Sequence, residues 1–164
     1  MYNILHNLAS RAQSKKRNFK QVATKLKKLK NKDLDNIFQE LHDEAFKRIN
    51  CLECANCCKS LGPRLTNTDM ERLASFLKMK TSTFIDTYMR LDEDNDYVFQ
   101  NMPCPFLLED NYCMVYSSRP KACRDYPHTN QKNIRSILPT CIQNTETCPA
   151  VFDIFEQLLK TEPF

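Results

Sequence analysis

The sequence predicts an α+β fold, mostly helical, with a small antiparallel β-hairpin. Three observations carry this. Apolar residues recur at three- and four-residue intervals near both ends of the chain, the period of a helix with one buried face. Residues 96–116 are the stretch in which short β-prone runs flank a turn-forming cluster. Nine cysteines all lie beyond residue 50, at 51, 54, 57, 58, 104, 113, 123, 141 and 148, so the middle of the chain has a means of holding loops together other than a large apolar core.

Taken in order, Phe19, Val22, Leu26 and Leu29 share one helical face within a segment, Arg11–Lys32, that holds ten basic residues and no acidic one. A second helix starts near Asp33, with Leu34, Ile37, Phe38, Leu41, Ala45 and Ile49 inward. Asp33 and Asp35 suit its positive N-terminal end, and Lys47 and Arg48 its C-terminal end. Gly62-Pro63 breaks the chain. Thr68 with Glu71 three residues later reads as a capping box, ahead of a helix burying Met70, Leu73, Ala74 and Leu77. Thr81–Arg90 reads as a short helix with Phe84, Ile85 and Met89 inward. Asp92–Asp96 is an acidic turn; as a calcium loop it lacks the central glycine and the terminal glutamate. Tyr97–Phe99 is a strand. Phe106–Leu108 and Cys113–Tyr116 flank the turn Glu109-Asp110-Asn111 as a hairpin. Pro103 and Pro105 bracket Cys104 and disfavour regular structure there. Pro120 starts a short helix carrying Cys123 and Arg124. The last helix starts at Pro149 and turns Val151, Ile154, Phe155, Leu158 and Leu159 inward.

The chain has 164 residues, 41% hydrophobic and 27% charged, close to the globular average, so whole-chain disorder is not expected. No apolar run approaches the roughly 18 residues of a membrane helix. The N-terminus lacks the apolar stretch of a signal peptide, which points to a cytoplasmic protein. A single glycine excludes a Rossmann fingerprint and a P-loop. Charge is asymmetric. Residues 1–50 hold 12 Lys/Arg and 5 Asp/Glu, whereas residues 51–164 hold 12 and 15. This divides the chain into a basic, cysteine-free helical extension, residues 1–32, and a cysteine-rich domain, residues 33–164. The basic segment reads first as the solvated side of a helical hairpin, and second as a face for nucleic acid or anionic lipid.

The strongest local signal is Cys51-Leu-Glu-Cys54-Ala-Asn-Cys57-Cys58. Cysteines at this spacing turn their sulfurs toward one ion, and thiolates are the favoured ligands of zinc and of iron–sulfur clusters. An odd number of cysteines in a cytoplasmic chain argues against a disulfide framework. Neighbouring side chains diverge, so Cys57 and Cys58 are expected to serve two sites, or only one of them is a ligand. A bacterial ferredoxin would place a fourth cysteine where this chain has Leu61, which excludes that pattern. Further ligands must come from Cys104, Cys113, Cys123 and Cys148, the last at a helix N-terminus that favours a thiolate. Cys141 reads as a partly buried thiol outside the ligand set. Eight cysteines suit two four-sulfur sites, or one site with spare thiols. His128 reads as a hydrogen-bonded loop residue, and neither His6 nor His42 is given a catalytic role. Arg119 and Arg124 read first as structural donors or as counter-charges to thiolates, and second as binders of an anionic substrate. Tyr112, Tyr116 and Tyr126 read as packing residues.

The Cys51–Cys58 block, Pro103-Cys104-Pro105-Phe106-Leu107, Cys113–Tyr116, the run from Arg119 to His128 and Cys148-Pro149-Ala150-Val151 together resemble the YkgJ-type cysteine-cluster family, a zinc- or iron-chelating domain. The resemblance extends over about residues 33–160, with Asn56 where many members have glycine. It implies helices and a hairpin around a metal–cysteine cluster, with Cys51, Cys54, Cys57, Cys58, Cys104, Cys113, Cys123 and Cys148 as ligands. Flagellin lysine methylases carry a related block associated with an iron–sulfur cluster. That favours iron–sulfur, of the 4Fe-4S type, over zinc; methyl transfer is not carried over. The expected function is therefore a metal-binding cysteine-cluster protein. The alternatives are a redox or group-transfer enzyme using the cluster, and a zinc-stabilised nucleic-acid adaptor using Arg11–Lys32.

Overall fold

In a computed structural model that describes residues 5–161, the N-terminal periodicity becomes helix α1 (Leu8–Leu26) and the next becomes α2 (Asn31–Arg48). Two short helices carry the cysteine block, α3 (Cys51–Cys54) and α4 (Asn56–Ser60). They are followed by β1 (Arg64–Leu65), α5 (Asn67–Phe76), α6 (Thr81–Tyr88), β2 (Met89–Leu91) and β3 (Tyr97–Phe99). A 3₁₀ turn at Tyr116–Ser118 leads to α7 (Lys121–Asp125), and another at Ile134–Ile137 leads to α8 (Leu138–Asn144) and α9 (Pro149–Lys160). The fold is α+β and mostly helical, as expected. Among the described residues no helix is long and apolar enough to cross a membrane.

The chain divides into two compact units. One runs through Asn50 and resumes at Pro127; the other is Cys51–Tyr126. In the first, α1, α2, α8 and α9 surround an aromatic core. Phe155 is fully buried, with ring centroids 5.3 Å from Phe19 and 6.1 Å from Phe38. Polar links close the edges. Lys15 pairs with Glu156 at 2.7 Å, Lys16 with Glu146 at 3.0 Å and Arg48 with Asp153 at 2.6 Å. The Asp35 carboxylate accepts the backbone N–H groups of Asn133 and Ile134, both at 2.9 Å. Asp35 was expected only to favour the positive end of α2; here it also satisfies the amides of a distant loop.

In Cys51–Tyr126 the sheet is three-stranded and antiparallel, in the order β1-β3-β2. Arg64 lies opposite Val98, and Met89 opposite Phe99. The acidic turn Asp92–Asp96 joins β2 to β3. The Asp92 Oδ1 atom accepts the N–H groups of Asp94 and Asp96 at 3.0 and 2.9 Å, which makes it a solvated hairpin turn. Met89 begins a strand instead of ending a helix, because its backbone is extended (φ −112°, ψ 149°) and pairs with Phe99. The expected hairpin around Glu109-Asp110-Asn111 forms only one bridge, Leu107 opposite Cys113. The ladder cannot lengthen. Pro105 lacks a donor, and the chain enters the 3₁₀ turn at Tyr116. Beneath lies a core of Leu65, Met70, Leu73, Phe84, Phe99 and Phe106, against which Cys104 and Cys113 pack.

Replacing Phe155 with alanine removes a ring that touches two others and leaves a cavity with no water to fill it. We expect a loss of about 3–5 kcal/mol, read as a lower urea midpoint in far-UV circular dichroism.

Candidate metal centre

Seven of the nine cysteines belong to Cys51–Tyr126, and all nine are reduced thiols. Two sit on α3, two on α4, one in the proline-flanked loop, one at the Leu107 bridge and one on α7. The α4 segment is tied to the loop directly, since the Cys104 N–H donates to the Cys58 carbonyl at 2.8 Å. The Asn111 side chain donates to the Glu53 carbonyl at 3.1 Å, which fixes the 108–112 turn beside α3. Cys57 and Cys58 do not diverge: both lie on α4 and their Sγ atoms are 4.0 Å apart.

Cys58 is the hub. Cys51, Cys54, Cys104, Cys113 and Cys123 all lie close enough to feel its charge. The Cys57 contact brings the Cys58 thiol down to about 7, against burial, with help from the Arg119 and Lys59 cations. Burial pushes the Cys104 thiol up to about 11 and Cys123 up to about 12, and raises Cys51, Cys54 and Cys113. As bare thiols, most of this set is held protonated.

The surroundings nonetheless favour sulfur as an acceptor. The Asn56 N–H faces Cys54, that of Phe106 faces Cys104 and that of Val115 faces Cys113, while the Leu107 N–H donates to the Cys104 carbonyl at 3.0 Å. In each case an amide two residues beyond the cysteine stabilises its thiolate. Arg119 favours the thiolate at Cys51, Cys58, Cys113 and Cys123. Its guanidinium lies 3.5 Å from the Tyr116 ring centroid, and its Nε is buried with no acceptor among the described residues. A buried donor left open beside thiols suits an anionic metal–thiolate group. The donor chemistry thus fits a thiophilic metal. The geometry does not yet form a closed shell: among the described residues no three or more His, Cys, Asp or Glu groups are arranged to hold an ion.

What places Arg119 and Cys123 was not read from the sequence. The capping box lies two residues earlier than expected, with Thr66 as the cap and Asp69 as its partner, because Thr66 is the last extended residue before α5. Asp69 is buried. Its carboxylate accepts from Arg72 Nη2 at 2.6 Å, Thr66 Oγ1 at 2.8 Å and the Lys121 N–H at 3.0 Å. Arg72 also donates to the Ser118 and Arg119 carbonyls at 3.3 and 2.8 Å. One carboxylate and one guanidinium therefore anchor both ends of the segment carrying Arg119 and lead into α7. Arg124 Nη1 closes it, donating to the Arg119 carbonyl at 2.6 Å.

The remaining expected residues fall elsewhere. Cys148 lies in the other compact unit, buried at the N-terminal cap of α9. Cys141, read as partly buried in a polar stretch, is fully buried on α8, and burial alone raises it to about 12; the helix turns its few apolar residues inward and its polar ones out. His128 is a loop residue with positive φ, its ring paired with Gln131 at 2.7 Å. His42 meets the Thr129 hydroxyl at 2.7 Å. Tyr112 and Tyr116 are exposed, with ring centroids 6.4 Å apart, and Tyr116 also faces the Arg119 guanidinium.

A sequence profile described as "Putative zinc- or iron-chelating domain" matches residues 50–142, more than half of the chain. The chain belongs to this CxxCxxCC family. The match spans all seven thiols of Cys51–Tyr126; Cys141 falls within it and Cys148 outside it. An uncharacterized protein of Methanocaldococcus jannaschii is 29% identical over 87 residues, 50% of this chain and 46% of the relative. The chain thus spans about half the length of that curated relative. No solved structure matches the chain significantly.

Burial pushes the Asp69 carboxyl up, but the hydrogen bonds from Arg72, Thr66 and the Lys121 N–H outweigh it and bring it from 3.8 to about 2. A depressed carboxyl contributes stability above its unfolded pKa and loses it as pH falls through the folded one. Wild-type stability should therefore fall by on the order of 2 kcal/mol between about pH 4 and pH 2 from this group. Asp69→Asn should be less stable at neutral pH and should lack that component, as measured by urea denaturation across the acid range.

Proposed function

We propose that the CxxCxxCC unit binds an iron–sulfur cluster, of the 4Fe-4S type, through thiolates drawn from Cys51, Cys54, Cys57, Cys58, Cys104, Cys113 and Cys123. The observation that carries this reading is the set of backbone N–H groups aimed at Cys54, Cys104 and Cys113. Hydrogen bonds to the sulfurs offset the negative charge that a cluster and its thiolates accumulate, and help set its potential. Arg119, with its open buried Nε, supports the same reading by adding a full positive charge. When bound, such a cluster supplies one-electron chemistry. Cys148 is the eighth candidate ligand. It rests on the family resemblance and on its place at the cap of α9.

Zinc is the second reading, which the family's description names alongside iron. A single zinc takes four sulfurs at about 2.3 Å and a single 4Fe-4S cluster four cysteine thiolates, so the number of thiols is the same for both. Iron–sulfur is preferred because the resemblance to flagellin lysine methylases favours iron. Metal binding would draw protons from the thiols that burial holds neutral, so it should tighten as pH rises, and a metal bound to the folded unit should stabilise it over the bare chain.

Substitution separates ligands from bystanders. Cys58→Ser should lose most of its metal, since Cys58 is the thiol that five others share as a neighbour. Cys141→Ser should keep the wild-type metal content and lose only packing stability. Full metal retention in Cys58→Ser, measured on anaerobically purified protein, would contradict the assignment.

A further inference from the structure

We propose that the solvent face of α1 binds the phosphate backbone of a nucleic acid, independently of the metal centre. Helix α1 has no acidic residue in its 19-residue span. Leu8, Ala12, Phe19, Val22, Ala23 and Leu26 are its buried residues. At about 100° per residue, Arg17, Lys20 and Thr24 fall on the exposed side of the helix; Lys27, its C-cap, lines the same groove as Lys20 and Thr24, and Lys28 follows in the terminal turn. The four cations are exposed, and none of them has an acidic partner among the described residues. The neighbouring cations behave differently. Lys15 and Lys16 are held by Glu156 and Glu146, and the Arg11 guanidinium lies 4.6 Å from the Phe152 ring centroid. Those three fasten the helix to its own unit, whereas no ion pair engages the other four among the described residues.

This face borders a groove. Lys20 and Lys27 form one wall, Pro139 and Gln143 of α8 the other, and Ala23 and Ile142 the floor, in a volume of about 410 Å³. No acidic side chain lines it. Glu146, on the turn beyond α8, is bound to Lys16 and Gln13. Arg17 to Lys28 spans about 16 Å at 1.5 Å per residue. A linear polyanion laid along that length meets several of these cations at once, where a single small anion meets one or two. A membrane surface fits less well. An interfacial helix inserts exposed apolar residues, but those of α1 are buried, and the exposed large hydrophobic residues of the described chain all lie within Cys51–Tyr126. The exposed face of α1 carries no aromatic side chain on which bases could stack, so binding should be tolerant of sequence and steep in salt.

The test uses the full chain and a fluorescein-labelled 20-nucleotide single strand, followed by anisotropy from low to physiological salt. Four phosphate contacts predict a log–log salt slope of about −3. K20E/K27E should weaken binding by about tenfold or more at low salt. R90E/K132E, an equal charge reversal elsewhere, should leave it within about twofold. K20Q/K27Q, with its circular dichroism melt matched to wild type, should fall between wild type and K20E/K27E. Three results overturn the proposal: no binding at low salt, equal weakening by both reversed pairs, or binding to phosphatidylserine vesicles without binding to the oligonucleotide. Metal content should be unchanged in K20E/K27E, which keeps this surface separable from the cysteine site.

Discussion

Crowded thiols are the constraint on which the cysteine-bearing unit depends. Cys58 has five other thiols near enough to feel its charge. As thiolates they repel one another, and burial holds several of them neutral instead. Such a set is stable in its ionised form only if positive charge and N–H dipoles face it. The unit supplies both, from Arg119 and from amides two residues beyond Cys54, Cys104 and Cys113. Two of these cysteines, Cys104 and Cys113, also pack against the unit's apolar core, so the same short segments bury carbon and present N–H groups.

The Asp69–Arg72 pair is the second consequence of that constraint. Arg119 has to be held close to the sulfurs without a carboxylate of its own, since an acid beside it would cancel its charge. The fold achieves this through the backbone. Arg72 binds the carbonyls of Ser118 and Arg119, and Asp69 binds the N–H of Lys121. The charge of Arg119 reaches Cys51, Cys58, Cys113 and Cys123, and its guanidinium stacks on the Tyr116 ring. In the other unit the logic is the ordinary one of helix packing, with Phe19, Phe38 and Phe155 at the centre and ion pairs at the rim.

The long helices were legible because their apolar period is sustained over several turns. Phe19, Val22 and Leu26 occupy the core they predicted, and Pro149 starts α9 where a missing N–H is harmless. Tyr97–Phe99 was legible from its β-branched and aromatic run. What was not legible depended on pairing between distant segments. Arg64–Leu65 is too short to announce a strand and forms one only because Val98 and Tyr97 lie opposite. Met89 looked helical until Phe99 claimed its backbone. The cap at Thr66 was missed because Thr68-Glu71 offers the same spacing two residues later. The thiol cluster was legible as a set, from cysteine spacing and family resemblance. Arg119 was legible as a structural donor or a counter-charge to thiolates, but the amides at position +2 carry no sequence signal, because any residue except proline supplies one.

The family places zinc or iron chelation on residues 50–142, and the chain's own polar groups favour a negatively charged sulfur-rich occupant there. The most direct test is the analysis of iron, acid-labile sulfide and zinc on one sample of anaerobically purified full-length protein. The account predicts brown protein with iron and sulfide in matched amounts and little zinc. Colourless protein with stoichiometric zinc and no sulfide would contradict the iron–sulfur assignment. Metal-free protein with every thiol titratable and native circular dichroism would contradict a metal centre altogether.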